Sequence, residues 1–596
     1  MEIKNNKSYH YYIKKFLKWR LRYIKDREFI FILSILVGLI AGIAAVIIKN
    51  AVHFTQFLLT GFFVKEYQNF PYFFYPIVGI LIALLFARFV IRQKLGHGIP
   101  NTLYAISKRK SIIPPFAMYA SIVTSAFTVG FGGSVGLEGP TVATGSALGS
   151  NIAKFLRLNY KATTLLLACG AAGAISGIFN SPIAAIIFCI EVFMLDLTMS
   201  SLIPLLIASA TAGLTSRLIL GENVLFNITT HHAFQIQNIP FYILLGIFTG
   251  LLSVYFVKVY WKMENVFDRI SNQYFKLVVF GSLLGVLIFL IPPLYGEGYD
   301  VINKLINGNY SDIVDNSIFY QFKENTPVLL LLLFGIVLLK VVASSLTFGA
   351  GGVGGIFAPS LFTGATAGFV FSKAINHWGH LQLPVSNFTL VGMAGLIAGV
   401  LHAPLTGLFL IAEVTGSYSL MIPLMITVAI SYFTVNYFEP HSIYTKHLAK
   451  RGELITHNKD QAVLTLMNVR SEIETDFLPV KVSDSLGDLI KTISRSKRNI
   501  FPVLDNEKLV GIIQLDDVRD IMFNPDNYNK YWVENLMTFP PAIVYSDENM
   551  EQVMQKFQET EAWSLPVVEN GRYIGFVSKA KLFNAYRRVL KDFSNT

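Results

Sequence analysis

Two stretches of this chain, 222 residues apart, are near copies of one another. The first reads Gly170-Ala-Ala-Gly-Ala-Ile-Ser-Gly-Ile-Phe-Asn-Ser-Pro182 and runs on to Glu191-Val192; the second reads Gly392-Met-Ala-Gly-Leu-Ile-Ala-Gly-Val-Leu-His-Ala-Pro404 and runs on to Glu413-Val414. A second set repeats at an offset of 219, where Gly136, Pro140, Thr144, Gly145 and Gly149 match Gly355, Pro359, Thr363, Gly364 and Gly368. The apolar part of the chain is therefore an internal duplication whose helices are interrupted by Gly and Pro in both halves. At membrane depth such interruptions persist only where protein or a watery cavity satisfies the freed backbone. In transporters built from repeats they mark the substrate site.

Composition places the chain in a bilayer. With 53% apolar and 15% charged residues in 596, and a mean hydropathy of +0.51, it holds more apolar surface than a soluble fold can hide. Apolar runs begin near Phe29, Phe74 and Ala117, recur through Leu165–Phe193 and Leu202–Leu218, and resume at Phe241, Leu277, Leu329, Phe362, Leu390 and Leu420. Several are too short or too rich in glycine to cross alone.

Charge predicts the orientation. Residues 1–28 carry nine Lys and Arg against three acids, and the stretch from Arg88 to Lys110 carries six with none. Both are expected on the cytoplasmic side, so the basic pI near 9.2 needs no nucleic-acid partner. The leader is too long, and too poor in small residues, for a cleaved signal peptide. The expected location is the plasma (inner) membrane. Cys169 and Cys189 both fall in apolar segments, offer neither a disulfide framework nor a metal motif, and are read as packing residues.

After Tyr444 charged residues become frequent and apolar runs shorten to strand length. Phe501-Pro-Val-Leu-Asp-Asn-Glu-Lys-Leu-Val-Gly511 recurs as Leu565-Pro-Val-Val-Glu-Asn-Gly-Arg-Tyr-Ile-Gly575, two strands around a polar turn. Each hairpin lies between helix-like stretches, Leu486–Ser494 and Asp516–Met522 for the first, Met550–Glu559 and Lys579–Leu590 for the second. Over about 470–590 this resembles a tandem pair of CBS domains, a regulatory module that often binds adenine nucleotides. The resemblance implies Ser or Thr three residues after the glycine and Asp six after it. Here Gln514 and Asp517 follow Gly511, while Ser578 and Lys581 follow Gly575. Asp517 and Ser578 are the candidate nucleotide contacts, each in a unit lacking the other half of the pattern. A structural dimerisation platform is the favoured reading over a nucleotide site.

Three segments share the frame Gly-x-x-x-Pro: Gly96-His-Gly-Ile-Pro100, Gly136-Leu-Glu-Gly-Pro140 and Gly355-Ile-Phe-Ala-Pro359. Glycine leaves backbone N–H groups accessible, proline suits a first helical turn, and the positive end of the helix dipole then faces whatever fills the gap. An anion can be held there without a full counter-charge. Glu138 lies inside one of these frames, where a buried carboxylate costs roughly 2.5 to 3.5 kcal/mol on insertion scales and is functional by default. No cluster of carboxylates suits a divalent cation, and no activated nucleophile or metal motif accompanies Glu138, so no enzyme is expected.

These motifs, with Tyr444, occur in the order and spacing of the CLC family of chloride channels and proton-coupled chloride exchangers, and the resemblance spans about 30–450. It implies an all-α polytopic membrane protein built from two related halves as an inverted repeat, about 29–220 and 240–445, followed by an α/β CBS pair at 471–530 and 531–592 after a linker at 451–470. It also implies a homodimer with one pore per subunit, chloride as the transported ion and no required cofactor. Glu138 is then the gate, competing with chloride and moving when protonated. Anion contacts are expected from His97, Gly98, Gly139, the backbone of Ile356 and Phe357, and the Tyr444 hydroxyl.

Three departures bear on mechanism. Leu137 replaces the basic residue usual before the gate, which weakens attraction of external anions. Val192 stands where exchangers usually carry an inner proton-relay glutamate, which favours a passive channel, with the exchanger as the alternative. His97 replaces a serine, so an imidazole that titrates near neutral pH either donates to the central anion or packs away from it. Lys340 is read as the partner of a buried glutamate, the alternative being a source of positive potential. Glu191 and Glu413, symmetrically placed, are read as structural.

Overall fold

The computed structural model describes residues 15, 18–20, 22–63, 70–93, 98–194, 198–221, 226, 233–314, 317, 319–450, 463–464 and 467–594. His97, residues 451–462 of the linker and most of the basic N-terminal segment lie outside the described residues. The chain divides into two compact units, Met1–Lys450 and Arg451–Thr596.

In the first unit the order is α1 (Asp26–Phe63), α2 (Phe70–Phe86), α3 (Gly98–Lys108), α4 (Ala117–Gly130), α5 (Glu138–Phe155), α6 (Tyr160–Phe179), α7 (Pro182–Phe193) and α8 (Met199–Leu220). The second half follows with α9 (Ile239–Asp268), α10 (Gln273–Leu290), α11 (Tyr299–Ile306), α12 (Thr326–Gly349), α13 (Phe357–Gly379), α14 (Val385–Leu401), α15 (Pro404–Thr415) and α16 (Met421–Phe438), before the short α17 (Lys446–Lys450). The sequence offsets map α5 onto α13 and α6, α7 and α8 onto α14, α15 and α16. Among the described residues eight helices are long and apolar enough to cross a membrane. The run Leu165–Phe193 is two helices, broken where Asn180 takes a left-handed φ of 55° before Pro182. The run near Phe362 belongs to α13, too rich in Gly, Ala, Ser and Thr to count as a spanning helix by hydropathy, yet buried along most of its length.

Those small residues have a packing reason. A Cβ on Gly145 would fall on the carbonyl of Gly170, and one on Gly170 on the carbonyl of Gly145, so α5 and α6 meet backbone to backbone. Their repeat equivalents do the same: a Cβ on Gly364 would lie 2.5 Å from the Gly392 carbonyl, and one on Gly392 2.5 Å from that of Gly364. Close approach of this kind replaces the hydrophobic effect, which lipid does not supply, with dispersion contacts.

The two halves are inverted relative to one another. Gly136 and Gly355, equivalent at the offset of 219, form an isolated antiparallel bridge. Gly136 N–H donates to Gly355 at 2.9 Å and Gly355 N–H returns the bond at 2.7 Å, so a local two-fold axis passes between them. A second exchange confirms the symmetry. Glu191, at the end of α7, accepts from the first-turn amides of Leu405 and Thr406 in α15, both at 2.8 Å, while Glu413 accepts from those of Ile183 and Ala184 in α7 at 2.9 and 2.8 Å. Each glutamate caps its twin's helix, satisfying orphan donors and countering the dipole, which is a structural role.

The second unit contains two three-stranded sheets of identical topology. In the first, β1 (Val480–Lys481) lies parallel to β2 (Ile500–Asp505), which pairs antiparallel with β3 (Lys508–Gln514); β4 (Val544–Tyr545), β5 (Ser564–Glu569) and β6 (Arg572–Ser578) repeat it. The helices Leu486–Arg495 and Met550–Thr560 connect first to second strand in each. Phe477, Ile512 and Phe576 form a buried apolar cluster drawn from both copies. This is the α/β pair expected.

Candidate functional site

The central site is assembled from backbone. Pro100, Pro140 and Pro359 stand in the first turns of α3, α5 and α13, where a missing N–H costs no intrahelical bond. These N-termini converge on one cavity, lined by Gly98, Ile99 and Pro100, by Gly139, by Gly354, Gly355 and Ile356, and by Tyr260, Phe348, Ile443 and Tyr444. Side chains at the glycines would close it: a Cβ on Gly98 would strike the Gly139 carbonyl, and one on Gly355 would lie 2.7 Å from Gly139 N. Tyr444 is 4% exposed, and its hydroxyl is buried without a hydrogen-bond partner among the described residues. An unpaired phenol donor beside three positive helix ends suits a small anion.

The structure thus brings Gly98, Gly139, Ile356 and Tyr444 together around the cavity. For Phe357 the expectation concerned its backbone, not its ring. Its residue begins α13 but is not among those lining the cavity, and its ring packs on Phe179 and Phe188 at centroid distances of 5.3 and 6.2 Å. Val192 is buried in α7 next to the cap residue Glu191.

Glu138 follows the N-cap residue Leu137 of α5 and is 1% exposed. One carboxylate oxygen accepts from the Tyr299 hydroxyl, and the other accepts from Ala358 N–H at 3.4 Å. Its side chain thereby reaches from one broken helix to the first turn of the symmetry-related one. Next to it, Leu137 N–H donates to Glu297 Oε1 at 3.1 Å. The helix end that has Leu137 at its N-cap therefore carries a second carboxylate. Sequence reasoning missed Tyr299 and Glu297; the signal available was the glycine-flanked Tyr295-Gly-Glu-Gly-Tyr299, an acid in a segment otherwise built for tight turns.

Lys340 has the buried glutamate expected as a counter-charge, Glu297, at a distance rather than in a direct ion pair. Its ammonium donates to Ser134 Oγ and to the Gly296 carbonyl, both at 2.9 Å, and lies 4.7 Å from the centroid of the Phe362 ring. Glu297 interacts with it through space. The lysine ties the loop carrying Glu297 and Tyr299 to the segment before α5, and so positions both against Glu138.

In the second unit both candidate nucleotide contacts are already engaged. The Asp517 carboxylate accepts from Gln514 N–H at 2.9 Å, capping the helix Leu515–Val518. Ser578 donates to the Glu474 carboxylate and accepts from Lys581 N–H at 3.3 Å. Glu474 also pairs with Arg498 at 2.5 Å, and Arg498 hydrogen-bonds Asp476, holding that carboxyl below its ordinary range. A nucleotide has to displace these contacts. Titration calorimetry of the full-length protein with ATP is expected to give a Kd weaker than about 100 µM, a binding free energy of roughly −5.5 kcal/mol; submicromolar binding would show that the engaged groups are readily freed.

Broken helices aimed at a shared cavity, in two inverted halves, define a membrane protein built around an anion-sized site. The chain belongs to the voltage gated chloride channel family, whose model matches residues 78–436. Two CBS domains match residues 469–524 and 533–588. Among curated relatives, the H(+)/Cl(-) exchange transporter ClcA of Vibrio cholerae serotype O1 is 29% identical over 409 residues, covering 66% of this chain and 84% of the relative. A putative chloride channel protein, ClcB-like, of Ralstonia nicotianae is 28% identical over 385 residues, 63% of this chain and 85% of the relative. The fold is that of a slow cyanobacterial Cl-/H+ antiporter, with a TM-score of 0.62, 21% identity and coverage of 72% of this chain and 98% of that one. A eukaryotic CLC transporter aligns over 93% of this chain and 97% of its own length, with a TM-score of 0.59 and 18% identity.

Proposed function

We propose that this protein transports chloride across the membrane and couples that movement to protons in the opposite direction. The observation that carries anion transport is the cavity itself: three helix N-termini and a Tyr444 hydroxyl with no hydrogen-bond partner among the described residues, around one small space, with the buried carboxylate of Glu138 beside it. The exchanger reading replaces the passive channel favoured from Val192. Its support is the name of the matched Vibrio relative, an exchange transporter, together with a gate carboxylate bonded to a hydroxyl that can exchange protons with it. Val192 remains the specific observation on the side of a channel. The proposal includes assembly as a homodimer, the N-terminus and the CBS pair on the cytoplasmic side, and transport with neither a catalytic reaction nor a required cofactor.

Flux in proteoliposomes with chloride and pH recorded together tests this reading. An imposed chloride gradient is expected to drive protons uphill at a fixed chloride-to-proton ratio. Chloride flux with no uphill proton movement would return the protein to the channel class, and no anion flux at all would remove it from both.

A further inference from the structure

Exchange requires a proton to reach Glu138 from the side of the membrane unit where the chain leaves for the CBS pair, and Val192 supplies no acid for it. A different carboxylate stands at that end. Helix α9 passes the cavity with Tyr260, which lines it, and Glu264 follows four residues later on the same helix face. One helical turn separates the two side chains, and Glu264 Oε1 lies 3.8 Å from His447 Nε2 in α17.

Glu264 is set apart from the structural glutamates by what it lacks. Glu191 and Glu413 each have two backbone amides. Glu264 Oε2 is buried with no hydrogen-bond partner among the described residues, while the side chain as a whole keeps 20% exposure. It is partly exposed and stands one helical turn from a residue that lines the cavity. Among the described residues, Asp268 on its own helix and Lys450 from α17 also act on it. Lys446 is bound to Glu439 at 2.6 Å, and both lysines lie over the Trp261 ring, at 5.8 and 5.7 Å. Tyr444 completes the set, acting on Tyr260 from the opposite wall.

We propose that Glu264 is the inner proton acceptor of this transporter, passing protons through the Tyr260 hydroxyl into the cavity and on to Glu138. The proposal rests on the exchange reading. The step is proton transfer alone: the Glu264 carboxyl gives its proton to Tyr260 Oη as Tyr260 releases its own toward the cavity, leaving Glu264 ionised and Tyr260 neutral. A new proton from solvent then restores Glu264. No bond other than O–H is made or broken.

The test is chloride-driven proton uptake by the full chain in proteoliposomes. Wild type is expected to pump. In Glu264→Gln the number of protons moved per chloride should fall at least tenfold, and in Tyr260→Phe, which keeps the ring and deletes the hydroxyl, it should fall likewise. Adding Val192→Glu to Glu264→Gln should restore coupling, which a merely structural role for Glu264 does not predict. If wild type pumps and both single variants keep its ratio, the proposal is wrong while exchange stands. If Glu264→Gln gives no folded protein, Tyr260→Phe decides alone. If wild type moves no protons, the exchange reading fails and takes this proposal with it.

Discussion

In Glu138→Gln, chloride-driven proton movement is expected to drop to the level of passive leak, at least a hundredfold below wild type, about 2.7 kcal/mol in transition-state terms. The carboxylate is buried and joined to Tyr299 through one oxygen and to the first turn of α13 through the other. Ionised, it is held by a phenol donor and a backbone amide; protonated, it loses the charge that the positive helix end stabilises, and chloride can take that place. Glutamine keeps the size and the acceptor oxygen but carries no proton. Chloride movement should therefore continue and lose its response to pH. Paired chloride and pH recordings in proteoliposomes read both outcomes. Retained proton coupling in Glu138→Gln and Glu138→Ala would remove Glu138 from the gate.

Gly145→Val is expected to abolish the folded membrane unit. The added Cβ falls on the Gly170 carbonyl, backbone that cannot rotate away, so α5 and α6 must separate along their buried contact. Overpacking a core costs roughly 1–3 kcal/mol and more when backbone must move; here the displaced helix also carries Glu138 at its N-terminus. Size-exclusion chromatography in detergent should show aggregate in place of a single folded peak. The symmetry-related Gly364→Val should behave alike, because Gly364 meets Gly392 in the same geometry. Normal folding of both variants would mean that the helix contacts are looser than the structure shows.

Much of this was legible along the chain. The offsets of 219 and 222 predicted the paired helices, since a duplicated pattern of apolar and small residues is visible along the chain; their backbone-to-backbone approach came from the structure. The Gly-x-x-x-Pro frames located the helix ends that surround the cavity, because proline and glycine act on their own turn. Glu138 stood out as an acid in such a frame. The paired hairpins of the second unit were readable as strands around a polar turn for the same local reason.

Other features depended on residues that only the fold brings together. Glu138 and Tyr299 are 161 positions apart, and Glu138 and Ala358 are 220 apart; neither pairing leaves a trace in local composition. Lys340 was read as a glutamate's partner because burial of a charge asks for a counter-charge. The tertiary structure gives its direct contacts to a hydroxyl, a carbonyl and an aromatic face and keeps the counter-charge, Glu297, at a distance. Asp517 and Ser578 looked available to a ligand until the fold spent them on a helix cap and on Glu474. The sequence alone determined the class of protein, its duplication and the ends of its broken helices, since hydropathy and backbone preference act within a few residues. Which side chains face which was decided by packing the two halves against each other, because hydrogen bonds across a symmetry axis join positions that the chain itself holds far apart.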